Sequence, residues 1–143
     1  MLAEGIKAPE IKGVDFKGKN TILYFYPKDD TPGCTANACN FRDNYQSLTK
    51  KGFTIIGVSP DNEISHSKFK EKYELPFELI PDTDKLIAKA YEVWGTKKMY
   101  GKEYEGILRT TFVINNDGVI TNIISKVDTK NATEQLLDTL GIQ

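Results

Sequence analysis

Apolar and polar positions alternate between two periods along this chain. Thr21-Ile22-Leu23-Tyr24-Phe25-Tyr26 and Phe53-Thr54-Ile55-Ile56-Gly57-Val58-Ser59 are nearly continuous apolar runs, the pattern of strands covered on both faces. Phe77-Glu78-Leu79-Ile80, Thr111-Phe112-Val113-Ile114-Asn115 and Val119-Ile120-Thr121-Asn122-Ile123-Ile124 read as further strands. The last two flank Asn116-Asp117-Gly118, a turn signal because these residues accept positive φ at low cost. Between the strands the spacing becomes helical. Phe41, Tyr45 and Leu48 predict one helix beginning near Cys34, and Ile64, Phe69 and Tyr73 mark a second that Leu75-Pro76 ends. Leu86, Ile87, Ala90 and Tyr91 predict a third, with Asp82 or Asp84 as its N-cap. Ala132, Leu136, Leu137 and Leu140 predict a fourth, closing before Gly141.

Strands and helices therefore alternate until a hairpin and a final helix complete the chain. That order predicts an α/β layer fold with parallel strands followed by an antiparallel pair. No repeat or Pro/Ser-rich linker divides the sequence, so a single domain over residues 1–143 is expected. A chain of this length buries roughly 68–70% of its unfolded surface.

Charge narrows the function classes. Nineteen basic residues balance twenty acidic ones, which gives no support for binding nucleic acid or an anionic membrane. No apolar stretch approaches the ~20 residues of a membrane helix. Met1–Lys7 has none of the segments of a signal peptide, so the cytoplasm is the expected compartment. There a permanent structural disulfide is disfavoured, and two thiols point to catalysis or sensing.

Both cysteines lie in Pro27-Lys28-Asp29-Asp30-Thr31-Pro32-Gly33-Cys34-Thr35-Ala36-Asn37-Ala38-Cys39. This places the Cys34 thiol past the end of a strand and in the first turn of a helix, where unpaired N–H groups and the positive end of the macrodipole favour a thiolate. Sites in open α/β sheets form at that edge. Thr31 can present a hydroxyl to the sulfur, and Pro27 and Pro32 restrict the loop. The chain has only two arginines. Arg109, just before the Thr111–Asn115 strand, is either a fixed cation beside the 21–26 strand that serves the sulfur or a surface charge at a strand start, while Arg42 is expected to pack or to pair with Asp43 or Asp30. His66, the only histidine, is expected on a solvated helix face, and with two cysteines and one histidine no metal site is expected.

Four residues separate Cys34 from Cys39. On a helix their α-carbons would lie roughly 8.6 Å apart on divergent faces, beyond the about 7 Å that a disulfide tolerates. The segment is thus expected to be helical with both thiols free and locally unwound if they join. A redox-active or nucleophilic catalytic thiol, a disulfide oxidoreductase, a non-catalytic redox sensor and a pair of buried packing cysteines are all compatible with these features. The charged segments 68–74 and 97–105 read as solvated surface, and Trp94 as a packing anchor.

The stretch Phe25–Thr35, with Ala38-Cys39 and Phe41-Arg42-Asp43 and the later Val93-Trp94-Gly95 and Gly106–Ile114, closely resembles the peroxiredoxins. The likeness is to their bacterioferritin comigratory protein (PrxQ) subfamily, whose Pro-x-x-x-Thr-x-x-Cys motif is matched by Pro27, Thr31 and Cys34. The resemblance implies a thioredoxin-like fold, with a central mixed sheet flanked by helices, and reduction of hydrogen peroxide and organic hydroperoxides. It implies Cys34 as the peroxidatic and Cys39 as the resolving cysteine, joined as an intramolecular disulfide, with Thr31, Pro27 and Arg109 completing the site. It also implies a thioredoxin-like dithiol donor, no cofactor and a monomer. Asn37 departs from the Glu or Gln common in that subfamily.

Overall fold

The computed structural model describes residues 2–142, apart from the side chain of Met99. Met1 and Gln143, the ends of the expected domain, lie outside that range. Five strands form the main sheet: β1 (Asn20–Phe25), β2 (Phe53–Ser59), β3 (Glu78–Pro81), β6 (Thr110–Ile114) and β7 (Ile120–Ile124), in spatial order β3-β2-β1-β6-β7. β1–β2 and β2–β3 are parallel, whereas β6 pairs antiparallel with both β1 and β7.

Both faces of β1 are buried. Ile22, Tyr24 and Tyr26 enter one cluster with Cys34, Ala38, Phe41, Phe69 and Leu136. Leu23 and Phe25 enter another with Ala88, Tyr91, Ile107 and Phe112. Helices α1 (Pro32–Asp43), α3 (Glu63–Lys72) and α5 (Ala132–Leu140) pack on the first side, and α4 (Leu86–Ala90) on the second. This two-sided cover is why β1 lacks a polar alternation.

The long helix expected near Cys34 is broken. α1 ends at Asp43 and α2 (Tyr45–Lys50) follows. Asn44 between them donates from its side chain to the Asn40 carbonyl at 2.8 Å, the local competition through which asparagine interrupts helices. Ile64 and Leu86 are exposed although they carry the expected helical spacing. Asp82 accepts from the amides of Ile87 and Ala88, and Asp84 from that of Leu86, so both candidate caps serve the start of α4. The Asn116–Gly118 turn is formed, with the Asn115 side chain accepting from Asp117 and Val119 amides and Gly118 at φ 78°.

The charged segment 97–105 also carries regular structure. β4 (Trp94–Met99) and β5 (Lys102–Ile107) form a separate antiparallel hairpin, turning through Tyr100 and Gly101, both at positive φ. Trp94 packs on the second cluster, as expected of an anchor.

Candidate active site

Pro27 follows β1 by two residues, and the loop beyond it delivers Cys34 to the third position of α1. Thr31 occupies the N-cap position in extended geometry but makes no side-chain cap; its hydroxyl donates to the Lys28 carbonyl at 2.9 Å. The amides of the first turn therefore lack the acceptor an N-cap side chain usually supplies. They point to the end of the helix that favours negative charge.

Arg109 enters from the residue before β6, whose Thr110 lies opposite Phe25 at the end of β1. Its Nη2 donates to Cys34 Sγ at 3.2 Å. Nη1 is buried and has no partner among the described residues, which leaves the guanidinium with a charged donor to spare. Gly33 makes the approach possible. A Cβ there would stand 3.3 Å from Arg109 Nη2.

Cys34 itself is only 1% exposed. The sequence position at a helix mouth predicts an exposed sulfur; instead the sulfur is roofed by the guanidinium and packed with Tyr24, Ala38 and Phe41. Burial pushes the Tyr24 hydroxyl well up, charge on Cys34 and Asp29 adds to this, and Arg109 opposes it. Its ring lies so close to the sheet that a Cβ on Gly57 would meet Cζ at 2.9 Å.

Cys39 is half-buried, and no disulfide joins it to Cys34. Burial pushes its thiol up, with Arg42 pulling the other way and Asp43 adding to the rise. Between the two cysteines Asn37 is fully buried, and neither end of its amide has a hydrogen-bond partner among the described residues. Next to Cys39, Asn40 reaches the last helix: its Oδ1 accepts from the Thr133 amide at 2.8 Å and its Nδ2 donates to the Lys130 carbonyl at 3.0 Å.

The chain matches the AhpC/TSA family model over residues 3–123. It is 48% identical to peroxiredoxin Bcp of Bacillus subtilis (strain 168) over 146 residues, covering 95% of this chain and 93% of that one. Peroxiredoxin Bcp of Escherichia coli (strain K12) is 40% identical over 131 residues, 92% of this chain and 84% of its own. A solved cysteine-to-serine mutant of Xanthomonas campestris peroxiredoxin Q superposes with a TM-score of 0.82 at 36% identity, over 88% of this chain and 80% of that one. The chain belongs to the peroxiredoxins, in their Bcp/PrxQ group.

The sheet and its flanking helices are accordingly the thioredoxin-like fold of this family. The fold places Cys34, Arg109, Thr31 and Pro27 at one end of β1, with Cys39 over a turn further along α1. Arg42 pairs with Asp43 at 2.9 Å and donates to the Tyr73 carbonyl at 2.8 Å. Asp30 is bound instead by Lys72 at 2.7 Å and by the Tyr73 hydroxyl at 2.6 Å.

One expectation is overturned outright. His66 is not solvated but 4% exposed, held against the Asp29 carboxylate. Asp29 sits inside the Pro27–Cys34 motif, yet no spacing rule links it to a histidine thirty-seven residues on. A histidine alone in its chain, on a helix following a strand, was the one available signal. Among the described residues no group of three or more His, Cys, Asp or Glu could hold a metal ion.

Proposed function

We propose that this peroxiredoxin reduces hydrogen peroxide and organic hydroperoxides at Cys34 and resolves the product through Cys39. The contact that carries the assignment is the Arg109 guanidinium on Cys34 Sγ, at a helix start whose amides have no side-chain cap. A hydroperoxide oxygen entering there meets the free Nη1 of Arg109 and the first-turn N–H groups. These donors stabilise the negative charge that moves onto the leaving oxygen. The Thr31 hydroxyl donates its hydrogen to the Lys28 carbonyl, so its oxygen is left to accept a hydrogen bond from the hydroperoxide O–H. Pro27 limits the loop's freedom and keeps these groups in register.

The thiolate attacks the distal oxygen, the O–O bond breaks, and the alkoxide or hydroxide leaves with a proton as alcohol or water. Cys34 becomes a sulfenic acid. Cys39 then attacks that sulfur, water departs and the Cys34–Cys39 disulfide forms. Because α1 is helical across both residues, its first turns must unwind for this bond. A thioredoxin-like dithiol returns both thiols by exchange. Residues 1–143 act as one domain, as a monomer in the cytoplasm, and no helix among the described residues is long and apolar enough to cross a membrane.

Cys34→Ser should abolish peroxide turnover with any donor; retained turnover contradicts the assignment. Cys39→Ser should consume one peroxide per chain and then fail to recycle with thioredoxin. A near-normal steady-state rate would remove Cys39 from the resolving role.

A further inference from the structure

The loop that carries the active cysteine is tied to α3 by a buried ion pair. The side chains of Asp29 and His66 are each 4% exposed. Asp29 Oδ1 accepts from the Tyr26 hydroxyl at 2.6 Å, and Oδ2 accepts from the Ser65 hydroxyl at 2.7 Å. His66 Nδ1 lies 2.7 Å from the same Oδ2, and its Nε2 lies 3.1 Å from the Ile80 carbonyl oxygen. The imidazole thus spans from the loop after β1 to strand β3.

A neutral imidazole has one N–H and one lone pair. Both ring nitrogens here face oxygen acceptors, so a neutral ring would turn a lone pair towards either a carboxylate or a carbonyl in a buried site. The carboxylate is ionised. Burial pushes Asp29 up, but hydrogen bonds from His66, Tyr26 and Ser65 outweigh that and hold it below the usual range. Only a doubly protonated ring satisfies both contacts.

We propose that His66 is an imidazolium in the reduced protein and, through Asp29, is a positioning residue that holds the Cys34 loop in its reactive geometry. The oxygen groups around the pair fit this charge state. The Tyr26 hydroxyl, pushed far up by burial, stays a donor and lies 3.4 Å from Nδ1. Asp61, just before α3, adds a second carboxylate, which accepts from the Asp29 amide at 2.6 Å. Lys68 and Lys72, which line the open cleft beside Asp29 and Asp30, oppose this charge, and Asp30 pairs with Lys72 at 2.7 Å. From Asp29 to Cys34 is five residues of loop and first helical turn, so a slackened Asp29 displaces Thr31, Gly33 and the sulfur relative to Arg109. Loss of the ring proton removes one of the two hydrogen bonds and loosens that loop.

This inference rests on Cys34 being the peroxide-reacting thiol. His66 is the only histidine in the chain, so its ring gives a single set of signals in nitrogen-15 NMR of the reduced, full-length protein. Both ring nitrogens should carry hydrogen at neutral pH, and the bimolecular rate with peroxide should fall at alkaline pH in step with the loss of that proton. His66→Gln, folded by circular dichroism, should react about tenfold more slowly at neutral pH, as displaced reacting groups do, and should lack the alkaline decline. A neutral ring at neutral pH overturns the proposal, as does a folded His66→Gln with the parent's rate and pH profile. The spectra of the unsubstituted protein decide the matter if His66→Gln does not fold. A Cys34→Ser protein that still turns over peroxide would instead overturn the assignment of the thiol.

Discussion

Asn37→Ala should make disulfide formation slower without slowing the reaction with peroxide. Asn37 is fully buried on the α1 face shared with Cys34, Ala38 and Phe41, and both ends of its amide lack partners among the described residues. Leaving a buried polar group unsatisfied costs about 1–3 kcal/mol. Unwinding the helix returns the amide to water and recovers that energy, so Asn37 favours the unwound form. Alanine removes the penalty and adds about 0.6 kcal/mol of helix propensity, while the small cavity it leaves costs about 1 kcal/mol. The folded helix gains about 1.6 kcal/mol on balance, and its unwound population falls about fifteenfold. Stopped-flow tryptophan fluorescence of the reduced protein mixed with peroxide reads both steps. The fast phase, oxidation of Cys34, should keep its rate constant. The slower phase, closure of the Cys34–Cys39 bond, should slow about fifteenfold, with more Cys34 driven to the sulfinic acid at high peroxide. A folded variant whose second phase is unchanged or faster would refute the reasoning.

Gly33→Ala sets a methyl 3.3 Å from Arg109 Nη2, and the guanidinium must retreat by a few tenths of an ångström from Cys34. The peroxide rate constant should drop several-fold while disulfide closure is preserved; equal rates would show that the close approach is unimportant. Asp29→Asn leaves His66 facing an uncharged partner, and breaking a buried pair in this way costs about 3–5 kcal/mol. Because the Asp29 carboxyl is held below its unfolded value, its contribution is present at neutral pH and is lost as pH falls below about 4, through the native value. Urea midpoints measured from neutral to acid pH should therefore fall less steeply for Asp29→Asn than for the parent, and an identical acid slope would count against the ion pair.

Much of this molecule can be read where local pattern and tertiary burial agree. Strands β1 and β2 are apolar throughout because both their faces are covered, and the Asn116–Gly118 turn follows from residues that favour positive φ. Cys34, Thr31 and Arg109 stood out by chemistry and position, and the sheet order brings them together. The β4–β5 hairpin did not stand out, because most of its residues face solvent and no apolar alternation marks it. Ile64 misled in the opposite sense, an apolar residue at helical spacing on an open face. His66 and Asn37 were hidden for a deeper reason. Burial of a polar side chain depends on what the fold lays over it, and nothing in its immediate neighbours records that. The split at Asn44 is intermediate: the residue type gave a hint, and the Asn40 carbonyl it binds decided the outcome.

Asn40 gives the chemistry of the sulfurs a reach beyond the site. It clasps the start of α5 with both ends of its amide and is bonded in sequence to Cys39. Drawing Cys39 across to Cys34 drags the clasp with it, and the N-terminus of α5 is left without a side-chain cap of its own. Closing the sulfurs should therefore loosen the far end of the polypeptide, read as faster amide hydrogen exchange at the start of α5 in the oxidised molecule than in the reduced one.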